Sequence, residues 1–366
     1  MAIRRLASSA ALGVAAWGVA VGAAQASTIT VHPGQSIQNA VNRAHPGDTV
    51  RLRAGVYRQN VTIRKGITLI GAGDGPWGSR LLPGKTPVPS FCNDGSSVNG
   101  ICVAGKFGAT GSPGAPVRGV TVKDLRVRGF GGFGVLMLNA NATTVRAVSA
   151  IANAGYGISG FGLHGVRFIN NLALSNGEPG FYIGDSPRAN AVVTGNRAFG
   201  NGASSHVEGI GFLFRDSSWG KVWGNVARNN CAGMVFVDTS ENPGPATHWT
   251  AWDNDASHNN LACGAEEGGG APPLSGIGIT LFGASDSVLL GNRADNNQPS
   301  GPSVFSGGIV VASSVIAGGA DPTNDRIGRN HARGNSPLDV LYDGTGSGNT
   351  FAGNDCGTSN PSLICN

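Results

Sequence analysis

Lysine is nearly absent from this 366-residue chain: five occur against twenty-one arginines, and charged residues make up 13% in all. The formal charge of +5 is spread thinly and forms no polybasic run, which excludes the clustered basic patch that binds nucleic acid or an anionic membrane. Methionine is rare too, with three residues. Past the N-terminus no apolar stretch approaches the length that spans a bilayer, so membrane insertion is excluded. None of the seven histidines shows the His-x-x-x-His spacing of a helical zinc site, and the strings GFGGFG and GAGDG lack the strand–helix context of a phosphate loop.

Glycine is what the chain has in excess, 60 residues beside 19 prolines. Regular apolar spacing argues against disorder, because a disordered chain is too poor in hydrophobic residues to form a core. Residues 1–26 read as a secretory signal: Arg4 and Arg5, the apolar stretch Leu6 to Ala23, then the small-residue site Ala24-Gln25-Ala26. The expectation is a secreted, extracellular protein.

Six cysteines in an exported chain suggest three disulfides. Cys92 and Cys102 bracket a small loop, and Cys356 and Cys365 close the C-terminal tail. Cys231 and Cys263 follow the second asparagine of consecutive repeats, which stacks them one coil apart. Stacked strands lie ~4.8 Å apart, inside the Cα separation of roughly 4.4–6.8 Å that a disulfide accepts.

Those repeats are pairs of asparagines five residues apart: Asn171/Asn176, Asn196/Asn201, Asn225/Asn230, Asn254/Asn259, Asn292/Asn297 and Asn330/Asn335, with Asn354 starting another. Each pair precedes a short apolar strand led by glycine, as in PGFYIGD, GIGFLFRD and AGMVFVD. Weaker copies upstream put Leu125/Phe130 and Val148/Asn153 at the same positions. Self-similarity of this kind is the mark of a solenoid, and stacked asparagines can hydrogen-bond in a ladder. Turn former and ladder rung is therefore the role expected of them. Loop insertions are expected around 241–250, 265–275 and 298–306.

The chain resembles the right-handed parallel β-helix proteins of pectin-lyase-like type, in the group of secreted bacterial repeat proteins. The opening segment, with its "PGDTV…AGVY" run, is similar to the N-terminal module of that group. The expected fold is all-β: a single-stranded right-handed parallel β-helix with a short N-terminal capping helix, Ser36 capping a turn whose Ile37, Ala40, Val41 and Ala44 share one face. The expected organisation is one domain over 27–366: cap 28–72, loop insertion 73–116, repeat coils 117–355 and a disulfide-closed tail 356–366. Covered ends favour a monomer.

In enzymes of this superfamily the substrate lies along the sheet of Gly-apolar-x-apolar strands. The resemblance maps it onto Gly100-Ile101, Gly157-Ile158, Gly180-Phe181, Gly211-Phe212, Gly233-Met234, Gly276-Ile277 and Gly308-Ile309. The paired strand aspartates of a galacturonase, the Lys/Arg cluster of a lyase and the Asp-Pro-His-Asp motif of an alginate epimerase are all missing. Few methionines and six paired cysteines argue against copper delivery. What remains is Asp185, Asp216 and Asp238, five residues after successive strand glycines, with Glu178 and Glu208 on the opposite margin and Tyr156, Tyr182, His164, His206 and Arg215 nearby. Two carboxylates across a groove can serve as acid and base for glycosidic cleavage. Arg215, or a Ca²⁺ ion held by oxygens, would offset stacked aspartates. Tyr182, which alternation points outward, is the expected sugar-stacking residue, with Tyr156 and Glu178 beside it. The aspartates also sit in turn-like strings (GDSP, RDSS, DTSENPG), where such a residue usually bonds its own backbone. Two readings follow: a carbohydrate-active β-helix that binds or cleaves a polysaccharide, or a non-catalytic binding or structural solenoid.

Overall fold

The computed structural model describes residues 25–93, 97–109, 111–205, 207–241, 244–265 and 271–365; the signal segment lies almost wholly outside them. The backbone winds through three parallel sheets. The first holds the glycine-led strands, among them Val135–Leu138, Ile158–Phe161, Phe181–Ser186, Ala232–Val237, Ile277–Phe282 and Gly307–Ala312. One register row runs Val135, Ile158, Phe181, Phe212, Met234, Ile279, Ile309, Val340. The second sheet includes Arg167–Ile169, Ala191–Thr194, Thr247–Trp252 and Val288–Leu290; the third includes Leu172–Leu174, Arg197–Phe199 and Val226–Arg228. The long strand Ile210–Trp223 serves the first sheet with its first half and the second with its last.

Each asparagine pair turns two corners. Asn171 to Asn354 form one ladder between the second and third sheets, each Nδ2 donating to the next Oδ1 at 2.9–3.1 Å. Asn153 to Asn335 form a second, leading back to the first sheet. The weak upstream copies head them: Val148 N donates to Asn171 Oδ1 and Phe130 N to Asn153 Oδ1.

The interior is close-packed. Phe181 stacks on Phe212 with ring centroids 4.7 Å apart, and Phe214 on Phe236 at 4.8 Å. Facing them, the third sheet contributes only small side chains: Ala150, Ala173, Ala198 and Ala227 align coil by coil. Close approach at the strand start is why most first-sheet strands are led by glycine: a Cβ on Gly157 would lie 2.5 Å from Gly180 O and 2.8 Å from Asn176 Nδ2. In this column the partner of Gly233 is Gly278, not the Gly276 expected from the sequence, because Ala232 pairs with Ile277.

Helix Ile37–Arg43, with Ser36 accepting from Asn39 N, covers the N-terminal end. The solenoid begins earlier than the repeats indicate. Thr28–Val31, Thr49–Leu52 and Thr68–Ile70 already pair in register with one another. The segment expected as a loop insertion, 73–116, contains the strands Ser79–Leu82 and Ile101–Ala104 of the third and first sheets. Part of the insertion expected at 241–250 is likewise strand, Thr247–Trp252. Disulfides join Cys92–Cys102, Cys231–Cys263 and Cys356–Cys365. Among the described residues no helix is long and apolar enough to cross a membrane.

Candidate functional site

The outer face of the first sheet is not an open platform. Around the C-terminal coils, Leu213, Val235, Val237, Phe282, Val310 and Ala312 are buried with Cys231, Cys263 and Leu274 in a second apolar cluster. The chain after Asn259 and after Asn297 folds back over the sheet to make it: Ala262–Cys263 pairs antiparallel with Leu274–Ser275, and Phe305 meets Phe282 edge-on at 5.1 Å. At the N-terminal coils a smaller cover forms around Cys92, Cys102, Ala104 and Leu136.

Between the two covers a strip stays half-exposed, and most of the expected site residues meet there. Tyr156 stacks between Phe133 (4.6 Å) and Tyr182 (4.9 Å), and Phe161 tilts against Tyr182 at 4.9 Å. The Arg215 guanidinium lies over the Tyr182 ring, 6.0 Å from its centroid, and its Nη1 is 3.9 Å from Glu241 Oε2. Burial pushes the Tyr156 phenol up, and the charges of Glu208 and Glu178 push it further. Burial likewise raises Tyr182, outweighing Arg215. Asp185 is raised by burial, against the pull of Arg215 and with the repulsion of Asp216 and Glu241. Glu178, Glu208, Asp185, Arg215, Tyr156 and Tyr182 thus form one electrostatic cluster.

Three expectations change. Tyr182 does leave the outer face, but it is 1% exposed and its ring is enclosed by Tyr156, Phe161 and Arg215. It is a wall of the strip, not a surface for a sugar ring; Tyr156, stacked on both faces, offers only its edge and hydroxyl. Asp216 is fully buried, accepting from Thr239 N (2.7 Å) and Thr239 Oγ1 (2.6 Å) of the next coil. Asp238 is 4% exposed and accepts from Ser240 N (2.9 Å) in a local turn. The three aspartates stack as the spacing implies, but Asp185 and Asp216 take left-handed φ values of 52° and 47°. Beyond such a residue strand alternation no longer fixes which way a side chain points. Of the three, Asp185 alone belongs to the strip.

His164 lies away from it, its Nδ1 2.8 Å from Arg188 O; His206 lies outside the described residues. No group of three or more His, Cys, Asp or Glu among the described residues is arranged to hold a metal ion, and the charge facing Asp185 is a guanidinium. Phe133, Phe161 and Glu241 are the site residues that sequence reading missed. The detectable signal was the 23-residue step from Phe133 to Tyr156, one coil.

Over residues 94–244 the sequence matches the family described as right handed beta helix region. No curated protein sequence matches the chain. The fold is similar to the mannuronan C-5 epimerase AlgE4 A-module of Azotobacter vinelandii (18% identity, 88% of this chain and 89% of that one covered, TM-score 0.52). It is similar also to an alginate lyase from Paenibacillus sp. str. FPU-7 (14% identity, 92% and 96% covered, TM-score 0.50). A third similar structure is the DFA-IIIase of Arthrobacter chlorophenolicus A6 without its lid (14% identity, 86% of each chain covered, TM-score 0.50). At such identities the likeness establishes fold and nothing finer. With three parallel sheets, two asparagine ladders and this family match, the fold of the protein is a right-handed parallel β-helix.

Proposed function

We propose that the protein is exported and hydrolyses a neutral polysaccharide in the first-sheet strip, with Asp185 as proton donor and Glu208 as base. The observation that carries this is the gathering of Glu208, Glu178 and Arg215 around Tyr156, and of Asp185 and Arg215 around the adjoining Tyr182, in the half-exposed strip between the covers. The epimerase and lyase of similar fold are named for alginate, but Asp185, Glu178, Glu208 and Glu241 set against Arg215 would repel a uronate. A carboxyl raised by burial keeps its proton long enough to donate it. Asp185 passes that proton to the glycosidic oxygen as the C–O bond breaks. Glu208 takes a proton from the water whose oxygen bonds to the anomeric carbon. Glu178 supports the negative side of the strip, and Tyr156 presents its hydroxyl to the sugar. The three disulfides and the N-terminal segment 1–26 support export, and the strand ladder from Thr28 to Asn360 supports one domain over 27–366, acting as a monomer.

The test is a panel of neutral and uronate polymers, read as new reducing ends and as unsaturated-uronate absorbance, with and without Ca²⁺. A neutral polymer should give reducing ends, and Asp185→Asn or Glu208→Gln should lower turnover by about 100-fold or more. Asp216→Asn should act through stability and leave the turnover of folded protein intact. Full activity in both of the first two variants rejects the assignment, and unsaturated product replaces hydrolysis by elimination. The extensive cover on the first sheet favours a second reading, a non-catalytic binding solenoid. Column retention of a polymer without any cleavage would select it.

A further inference from the structure

We propose that the outer face of the second sheet is a separate, non-catalytic binding site for an anionic polysaccharide, centred on Trp219. It rests on different residues from the first-sheet strip and does not depend on that reading.

Trp219 occupies a corner position that other coils fill with small or polar residues: Ala142, Gly165, Asn190, His248, Asp286 and Asn324. Its φ is 65° and it is 48% exposed. A bulky side chain in the left-handed region is strained, and such strain gathers at functional positions. The indole packs on the His248 ring (centroids 3.9 Å apart), and about half of its surface meets solvent. Beside it is a depression of about 440 Å³, lined by Asn190, Val192, Trp219, Lys221, His248 and Thr250. Asp286 also borders it, held by Asn324 Nδ2 (3.2 Å) and Thr247 Oγ1 (3.4 Å). Four residues further along the strand, ~13 Å away, Trp223 stacks on Trp252 at 4.9 Å.

Charge names the occupant. The outward positions of the second-sheet strands carry Arg51, Lys123, Arg146, Arg167, Lys221 and Arg326, and no carboxylate. None of the six forms an ion pair with a described residue. The third sheet differs in carrying carboxylates: there Arg228 pairs with Asp255, Arg293 with Asp295, and Asp355 with both His331 and Arg333, while Arg126, Arg128 and Arg197 of that sheet form no ion pair with a described residue. A face with cations in rows and exposed aromatic edges suits a polymer that alternates ring faces with carboxylates. Its cations are too widely spaced and too interleaved with aromatic and apolar residues for a duplex, whose binding rests on dense phosphate neutralisation.

The experiment is affinity electrophoresis of the purified protein through gels holding polygalacturonate, dextran or duplex DNA, over a range of salt. Polygalacturonate should retard the protein at low salt and dextran should not. Trp219→Gly, which also relieves the backbone, should weaken retardation by about tenfold, as expected for an aromatic anchor, with no fall in melting temperature. Arg167→Gln with Lys221→Gln should weaken it and flatten its salt dependence. Asp185→Asn should leave it unchanged; if that variant abolishes retardation, the polymer sits in the first-sheet strip and the proposal falls. It falls equally if polygalacturonate does not retard the protein, if Trp219→Gly changes nothing, or if duplex DNA binds as tightly.

Discussion

A ladder asparagine and the residue before it act as a pair. The amide reaches the next coil because the preceding residue turns the backbone through the left-handed region: Asn170 (φ 54°), Ser175 (53°), Asn229 (56°), Asp253 (51°), His258 (58°) and Asn296 (53°), with glycine at other corners. The amides then align in one direction along the axis, an arrangement in which hydrogen bonds polarise one another. Asp325 breaks the pattern. It stands in a shorter ladder, accepting from Ser287 N (2.8 Å) and donating its own N–H to Asn349 Oδ1 (3.0 Å), fully buried and with no partner for Oδ2 among the described residues. Burial pushes its carboxyl up from 3.8 to about 8. The folded protein therefore keeps a proton that the unfolded chain loses, so the contribution of Asp325 to stability is full below pH ~4 and is lost as pH rises toward 8. Asparagine keeps the acceptor and adds a donor. Asp325→Asn should raise unfolding free energy at pH 8 by ~1–3 kcal/mol and flatten the melting temperature between pH 5 and 9. An equal slope in both proteins would remove Asp325 as the cause.

At the scale of elements, legibility followed the chemistry that repeats. Asparagine spacing and the glycine-led strands could be read because an amide rung and a Cβ-free contact are needed in every coil. Ile158, Phe181, Ile183, Met234 and Phe236 lie inside, as strand alternation requires. Alternation failed at Asp216 because a non-glycine residue in the left-handed region is invisible in composition. It also could not show that Tyr156, Phe161 and Arg215 enclose Tyr182, or that loops cover Leu213 and Val235: loop length is readable, but where a loop folds is not. Cys231–Cys263 fastens that cover, joining positions 32 residues apart. Closing a loop of that size stabilises by about 3–4 kcal/mol in the chain-entropy account. Cys231→Ala with Cys263→Ala should lower the urea midpoint accordingly and increase binding of a hydrophobic dye as Leu213, Val235 and Val310 become wet. Strands of the second and third sheets should keep their hydrogen-exchange protection. Equal loss of protection in all three sheets would mean that the disulfide holds the solenoid and not its cover.

For the molecule as a whole, the sheets divide the charge: carboxylates gather in the first-sheet strip, cations without an ion pair among the described residues face out from the second, and the third carries both signs, with Asp255, Asp295 and Asp355 each paired. The ends of the solenoid divide from its middle in a similar way. The ladders of the middle are neutral amides that do not titrate, whereas each end is tied by a carboxylate. At the N-terminal end Asp48 accepts from Ser27 N and His45 N, both at 2.7 Å, and these bonds hold it at about 2. At the other, Asp339 ends the second ladder by accepting from Asn335 N and Nδ2 (2.9 Å each) and from Gly357 N (2.9 Å) and Thr358 N (3.1 Å) of the tail. Burial alone would raise Asp339, but those four bonds outweigh it and keep it low. A carboxyl whose folded value is depressed contributes fully above its ordinary value of 3.8 and loses that contribution as pH falls below it. Solenoid stability is a sum over neighbouring coils, so a loss at one end need not spread inward. Acid should therefore fray the chain from both ends. Between pH 4 and 2, hydrogen exchange should accelerate in 28–52 and 335–360 while the coils from 144 to 300 stay protected. Asp339→Asn should make the C-terminal segment exchange fast already at pH 7 and insensitive to acid. Simultaneous loss of protection along the whole chain would show instead that its coils unfold as a single cooperative unit.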